Sequence, residues 1–262
     1  MREHYALGLE RDRLVESTGL LEFERTKQIV LRQLPAPPAV IADIGGGPGA
    51  YALWLAELGY HVVHRDLMPL HVEQLRQTAV GNARIETGVC DARQLDIESQ
   101  SVDAALLLGP LYHLDRRKDR LQALAELRRV IRSGGPVFVA AISRWAARMD
   151  GILRLRLYET MPGVEAELSG VERTGRLPAL EPGAFCGYTH RPSHLRGELR
   201  AAGLQSIDVV SVEGPAYLLA DLPERLADDE ARRVVLETAE ALERVPELLG
   251  VGTHLLAIAR VP

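Results

Sequence analysis

The sequence predicts an α/β protein, a mostly parallel sheet covered by helices on both faces. Three observations predict it. Short apolar runs alternate with helical patterns between residues 40 and 143, a dense glycine cluster follows the first run, and the chain closes on strand, long helix, strand. Alternation of this kind places helices between parallel neighbours and buries both faces of the sheet.

Residues 1–38 read as a helical segment. LLEFERTKQIVLRQL offers Leu21, Phe23, Ile29, Val30 and Leu34 for burial, and PAPP, Pro35 to Pro38, ends it. Val40-Ile41-Ala42 is a first strand leading into IGGGPGA. AYALWLAEL is a helix, closed by Gly59 where a left-handed residue is usual. YHVVHRD, PLHVEQLRQTAV and ARIETGVCDA read as strand, helix, strand; VDAALLLG, DRLQALAELRRVI and GGPVFVAAIS repeat that order. The alternation breaks near residue 145. Residues 145–190 read as an insertion, with MDGILRLRLYETM helical and RTGRLPALEPGAFCG rich in turns. HRPSHLRGELRAAGL restores a helix, QSIDVVSVEG a strand, LPERLADDEARRVVLETAEALERV one long helix and THLLAIARV the last strand.

Bulk properties narrow the function classes. With 47% hydrophobic and 26% charged residues among 262, the chain has ample material for a core. A net charge of −5 argues against a nucleic-acid partner, because phosphate affinity rests on clustered Lys and Arg. The N-terminus MREHYALGLERDRL lacks an apolar signal region, and no run approaches the roughly 18 apolar residues of a membrane span. Two cysteines, Cys90 and Cys186, fit neither a disulfide framework nor a metal cluster and suit a reducing cytoplasm. The expected partner is a small molecule, and the expected state a monomer or homodimer.

Ligands of such sheets bind beyond the carboxyl ends of the strands, so the residues just after each strand carry the functional reading. Gly45-Gly46-Gly47-Pro48-Gly49-Ala50 satisfies the dinucleotide pattern G-x-G-x-x-G/A, and Asp66 follows roughly 20 residues on, where a ribose-binding acid belongs. Glycine spacing alone leaves a nicotinamide dinucleotide open. Three features turn the reading elsewhere. Asp43 stands two residues before the first glycine, where it suits a cationic ligand and would repel a pyrophosphate. The third strand ends in Cys90-Asp91-Ala92, an acid and a backbone N–H able to read an adenine. The closing strand, helix, strand order favours an antiparallel final strand.

ADIGGGPG, VVHRDLMPLHV, GVCDA and LLLGPLYHL, with the glycine-led fifth strand, resemble the class I S-adenosylmethionine-dependent methyltransferases. The resemblance covers roughly residues 40–142 and, by layout, residues 204–260. It implies a Rossmann-like seven-stranded sheet of order 3-2-1-4-5-7-6, spanning residues 39–262 behind an N-terminal segment that covers the cofactor site. It implies S-adenosyl-L-methionine as cofactor, leaving as S-adenosyl-L-homocysteine. Asp43, Gly45, Gly46, Gly47 and Gly49 match the family's first motif, although Gly46 stands where Cys is frequent. By the same resemblance Asp66 holds both ribose hydroxyls, Leu67 and Met68 pack on the adenine, and Asp91 and Ala92 read its edge. GPLYHL resembles a bacterial subgroup with small-molecule or unassigned acceptors, in which Gly109, Leu111 and their neighbours up to His113 border the methyl donor. The N-terminal helix offers Arg25 or Lys27 to the methionine carboxylate, with Arg25 the expected donor.

Methyl transfer from a sulfonium is an in-line displacement that needs alignment and exclusion of water, and a base only for a protonated nucleophile. His113, just after the fourth strand, is the candidate base, and Tyr112 the residue that orients the acceptor. A structural hydrogen-bonding role for His113 stands beside that reading. His190, His254 and Tyr5 are candidate acceptor contacts, with helix capping an equal account of His190. His64 and His71 read as surface residues. The histidines are scattered, no pair lies at metal-ligand spacing, and no metal is expected. The insertion at 145–190 reads as a lid or substrate wall, with a plain helical decoration an equal account. Two other functions remain: an NAD(P)-dependent oxidoreductase, which lacks a Tyr-x-x-x-Lys pair here, and a non-catalytic binder of an adenosyl ligand.

Overall fold

The chain was analysed as a computed structural model that describes residue 14, residues 17–179 and residues 185–262. Its framework is β1 (Val40–Ile44), β2 (His61–Asp66), β3 (Ile85–Val89), β4 (Ala104–Leu107) and β5 (Pro136–Ser143), all parallel in the order β3-β2-β1-β4-β5. The edge beyond β5 is antiparallel. β9 (His254–Arg260) runs beside β5 from Ile142 to Pro136, and β8 (Gln205–Ser211) pairs with β9. Counted by these seven strands, the sheet has the expected order, with the final antiparallel strand inserted between its predecessor and β5.

The central strands are apolar without alternation because both faces are covered. β4 shows this at its shortest, as Ala104, Ala105, Leu106 and Leu107 are all fully buried. On one face Ile41, Leu106, Phe138 and Leu256 pack under α1 (Ser17–Leu31) and α2 (Ala50–Glu57) through Ile29, Val30, Ala52 and Leu55. Leu75 of α3 (Pro69–Thr78) joins them. On the other face Ala105, Leu107, Val139 and Ala257 meet Leu124 and Leu127 of α4 (Arg117–Val130), together with Leu195 and Leu199.

The insertion departs from the expected sheet by adding two strands. MDGILRLRLYETM is not one helix; π-helical and 3-10 turns cover Met149–Arg154 and Leu157–Glu159, and the regular helix here is α5 (Val164–Thr174). β6 (Arg176–Leu177) then pairs antiparallel with β7 (Gly187–His190). β7 runs parallel to β5 at Ile142 and Ser143, and because β9 also pairs with Ile142, β7 occupies the β4-side edge beyond the end of β4. α6 (Pro192–Ala201) returns the chain to β8. The long helix expected before the last strand is divided into α7 (Leu222–Ala227) and α8 (Asp229–Leu242). The break falls at Asp228, whose carboxylate caps α8 by accepting the Ala231 N–H.

Candidate active site

At the carboxyl edge of β1, β2, β3 and β4 lies a cavity of about 800 Å³. The glycine loop forms its floor. Gly45 has φ of +67°, and a Cβ there would lie 2.2 Å from Pro110 Cγ, so the loop after β1 and the turn after β4 are packed backbone to ring. Gly47, at φ +58°, has nothing within 4 Å of where a Cβ would stand. One glycine thus closes the floor and the other leaves room for a ligand. Gly45, Gly46 and Gly47 all line the cavity.

Asp66 ends β2 on the cavity wall and is already well bonded. Its Oδ2 accepts the Gly47 N–H at 2.9 Å, and its Oδ1 accepts the Met68 N–H at 2.8 Å and a bond from His71 Nδ1 at 3.1 Å. Burial works against its charge, but His71 and the two N–H groups more than reverse this and hold the carboxyl below its usual range. A carboxylate offers about four lone-pair sites, so these bonds leave capacity for one further donor. Holding two ribose hydroxyls would require the Gly47 N–H, or another of the three, to let go.

Two histidines read as surface residues are buried. His64 is fully enclosed, with Nε2 3.0 Å from the Gly47 carbonyl and Nδ1 2.8 Å from Thr87 Oγ1. The carbonyl only accepts, so Nε2 carries the proton and Nδ1 accepts from Thr87. Burial pushes the imidazole down to about 4, which keeps it neutral in this role. His71 is 3% exposed behind Asp66. His64 sits in an inward strand register and His71 on the inner face of α3, which buries both.

Asp43 lies beneath the floor, not on the wall. It is 1% exposed, and neither carboxylate oxygen makes a hydrogen bond. Burial, and next the charge of Asp66, push it up to about 7; the nearby Ala52 N–H favours the anion only weakly. A Cβ on Gly46 would stand 2.3 Å from Asp43 Oδ2, so that glycine exists to admit the carboxyl.

The remaining walls bring together much of what the sequence indicated. Leu67, Met68, Asp91, Ala92, Gly109, Tyr112 and His113 all line the cavity. Asp91 is held by a bidentate pair with Arg93, including Nη2 to Oδ2 at 2.6 Å, and this bond lowers its pKa. The Tyr112 hydroxyl donates to the Leu108 carbonyl at 3.3 Å, and the rings of Tyr112 and Phe185 flank His113 at 4.8 and 5.3 Å.

Other candidate residues lie away from the wall. Arg25 is fully buried, donating from Nη2 to Glu243 at 2.6 Å and from Nε to the Val212 carbonyl at 3.4 Å. Two helical positions lie roughly 200° apart, so α1 presents Lys27 to the cavity and turns Arg25 to its opposite side. Leu111 is a core residue packed among the β4 and β5 side chains. Gly49 sits at the N-cap of α2, where a Cβ would strike Leu75. His190 is fully buried, its Nε2 3.2 Å from Glu198, and His254 is held by Glu213 at 2.6 Å; neither lines the cavity. Tyr5 lies outside the described residues. Residues given no functional role from the sequence complete the wall, chiefly Glu22, Phe23, Tyr51 and Trp54. The i, i+4 pair Phe23 and Lys27 was the available signal, and Lys27 Nζ lies 4.6 Å over the Phe23 ring.

With this geometry in view, residues 42–139 match the family described as "Methyltransferase domain". Over that stretch the chain is similar to a methyltransferase domain. Over 115 residues, 44% of this chain, it is 30% identical to the human probable tRNA methyltransferase 9B, and over 122 residues, 45% of this chain, 32% identical to the ubiquinone/menaquinone biosynthesis C-methyltransferase UbiE of Acidiphilium cryptum (strain JF-5). The matches span only 23% and 48% of those relatives' lengths. A S-adenosylmethionine-dependent methyltransferase structure from Methanosarcina mazei aligns over 88% of this chain and 96% of its own, at 18% identity and a TM-score of 0.60. The cyclase SpnF aligns over 90% and 80%, at 20% identity and a TM-score of 0.59. The fold is that of the S-adenosylmethionine-dependent methyltransferases, with a Rossmann-like sheet. Among the described residues, no helix is long and apolar enough to cross a membrane.

Proposed function

We propose that the protein transfers a methyl group from S-adenosyl-L-methionine to an O, N or C atom of a small molecule. One observation carries the cofactor: the floor glycines, Asp66, the Asp91-Ala92 pair and the turn from Gly109 to His113 converge on one cavity. The open space over Gly47 and the spare acceptor capacity of Asp66 suit the methionine backbone and a ribose hydroxyl. Asp91, oriented by Arg93, and the Ala92 N–H suit the adenine edge. Lys27 supplies a cation for the methionine carboxylate. When bound, the cofactor supplies an electrophilic methyl; this chain's residues fix its axis, shed water and receive the acceptor's proton if it has one. His113 is the group for that proton, with Tyr112 and Phe185 holding its ring.

A small acceptor suits a cavity whose wall includes the rings of Phe23, Tyr51, Trp54 and Tyr112, and the net charge of −5 gives an RNA little to hold. The insertion supports the reading of a substrate wall at one place. It forms a second cavity of about 410 Å³ that shares Asp115 with the first. The free thiols Cys90 and Cys186 suit a reducing cytoplasm.

Calorimetry with S-adenosyl-L-homocysteine and with NAD tests the cofactor; binding of NAD alone would replace this reading with the oxidoreductase one. A second reading, an adenosyl-ligand protein that moves no methyl group, has the cyclase SpnF as a neighbour of the same fold. Labelled methyl transfer into metabolite and tRNA pools separates the outcomes. Label in metabolites supports the proposal, label in tRNA overturns the small acceptor, and no label with tight S-adenosyl-L-homocysteine binding supports the second reading.

A further inference from the structure

Three segments far apart in the chain meet beside the cavity. Glu22 comes from α1, Glu213 lies two residues past β8, and His254 opens β9 opposite Ile142 of β5, at the functional edge of the sheet. His254 Nδ1 stands 2.6 Å from Glu213 Oε1 and 3.7 Å from Glu22 Oε2, and one donor atom from each residue lies within 4.8 Å of the other two. Glu213 is 2% exposed and Glu22 9% exposed. Glu213 is also fixed from the main chain, because its Oε2 accepts the His254 N–H at 2.9 Å. Glu22 is the member that reaches the cavity wall.

We propose that Glu22, Glu213 and His254 form a binding site for one divalent first-row cation at the edge of the cavity. The donor set is two carboxylate oxygens and one imidazole nitrogen, the chemistry that suits Mn²⁺ or Zn²⁺. Ligand atoms about 2.1 Å from a shared ion lie roughly 3–3.5 Å from one another. The observed 2.6 and 3.7 Å bracket that range and the third pair of donor atoms lies within 4.8 Å, so modest side-chain shifts bring all three onto one ion. Binding replaces the proton that Nδ1 shares with Glu213, and that proton leaves to solvent. The site departs from the metal-free expectation because no two of its ligands are near neighbours in sequence. Ion binding is independent of the methyl-transfer reading.

The test uses the full chain, free of affinity tags and stripped with a chelator. Mn²⁺ titration followed by the paramagnetic resonance of the free ion should show one bound ion per chain, with proton release in weak buffer. Zn²⁺ calorimetry should give the same stoichiometry. Glu22→Gln, Glu213→Gln and His254→Gln should each weaken binding at least roughly tenfold, with thermal melts confirming a folded chain. If His254→Gln does not fold, Glu22→Gln, on the cavity wall, carries the test. No stoichiometric binding of either ion, or unchanged affinity in folded variants, would overturn the site. S-adenosyl-L-homocysteine calorimetry on the same sample reads the cofactor proposal separately.

Discussion

Two buried carboxylates in this molecule have moved in opposite directions. Asp43, beneath the glycine loop, has no hydrogen bond to either oxygen and is pushed up to about 7, first by burial and then by Asp66. Glu198, on α6, is also pushed up by burial, yet His190 and the Arg120 guanidinium reverse this and bring it to about 2. Arg120 donates to it from Nη2 at 2.7 Å and Nε at 2.9 Å while lying 3.7 Å over the Tyr188 ring. The Glu198 region is internally complete, and its charges fix β7 and α6 to α4. The Asp43 region is incomplete in itself: the carboxyl sits beneath the cavity floor with no hydrogen bond to either oxygen, and burial favours its neutral form.

Breaking the satisfied region should have the largest effect. Arg120→Ala strands a buried carboxylate and should cost about 3–5 kcal/mol of stability, read by urea denaturation. A loss under about 1 kcal/mol would remove the distinction between the two regions. Asp43 predicts a pH dependence of opposite origin. Its folded pKa lies above the unfolded one, so its stabilising contribution is whole below about pH 4 and is lost as pH rises through about 7. Asp43→Asn should flatten that slope, a difference on the order of 4 kcal/mol across the range. Parallel pH profiles for the two proteins would sink the claim.

Smaller effects sharpen the site side. His113→Ala should lower turnover by about a hundredfold on any acceptor the transfer screen identifies, with S-adenosyl-L-homocysteine affinity retained. Loss of affinity with turnover intact would make His113 a packing residue for the cofactor. Asp66→Asn keeps the shape of the wall but weakens the charge-assisted bonds, and should raise the S-adenosyl-L-homocysteine Kd roughly tenfold.

Legibility followed the same division. The β1 to β5 alternation, the final hairpin and the cavity floor could be read from sequence because their signals are local: apolar runs, glycines and acids at strand ends. Arg25 could not, since a helix offers charge on every side and only packing against Val212 and Glu243 decided which way it turned. His64 shows the same limit, as its partner Thr87 lies 23 residues on in the chain, opposite it on the neighbouring strand β3. The Glu22, Glu213 and His254 cluster exists only in three dimensions. β6 and β7 escaped notice because a ladder two residues long leaves no periodicity to count.

That short ladder also fixes how the insertion is mounted. β7 grips β5 at Ile142 and Ser143, and the Arg144 N–H donates to the His190 carbonyl at 2.8 Å, so departure and return points of the segment are stitched side by side. The insertion is therefore tied at both ends to one short stretch of β5, away from the glycine loop after β1. A change in its length or composition would leave both anchor points and the cavity floor in place.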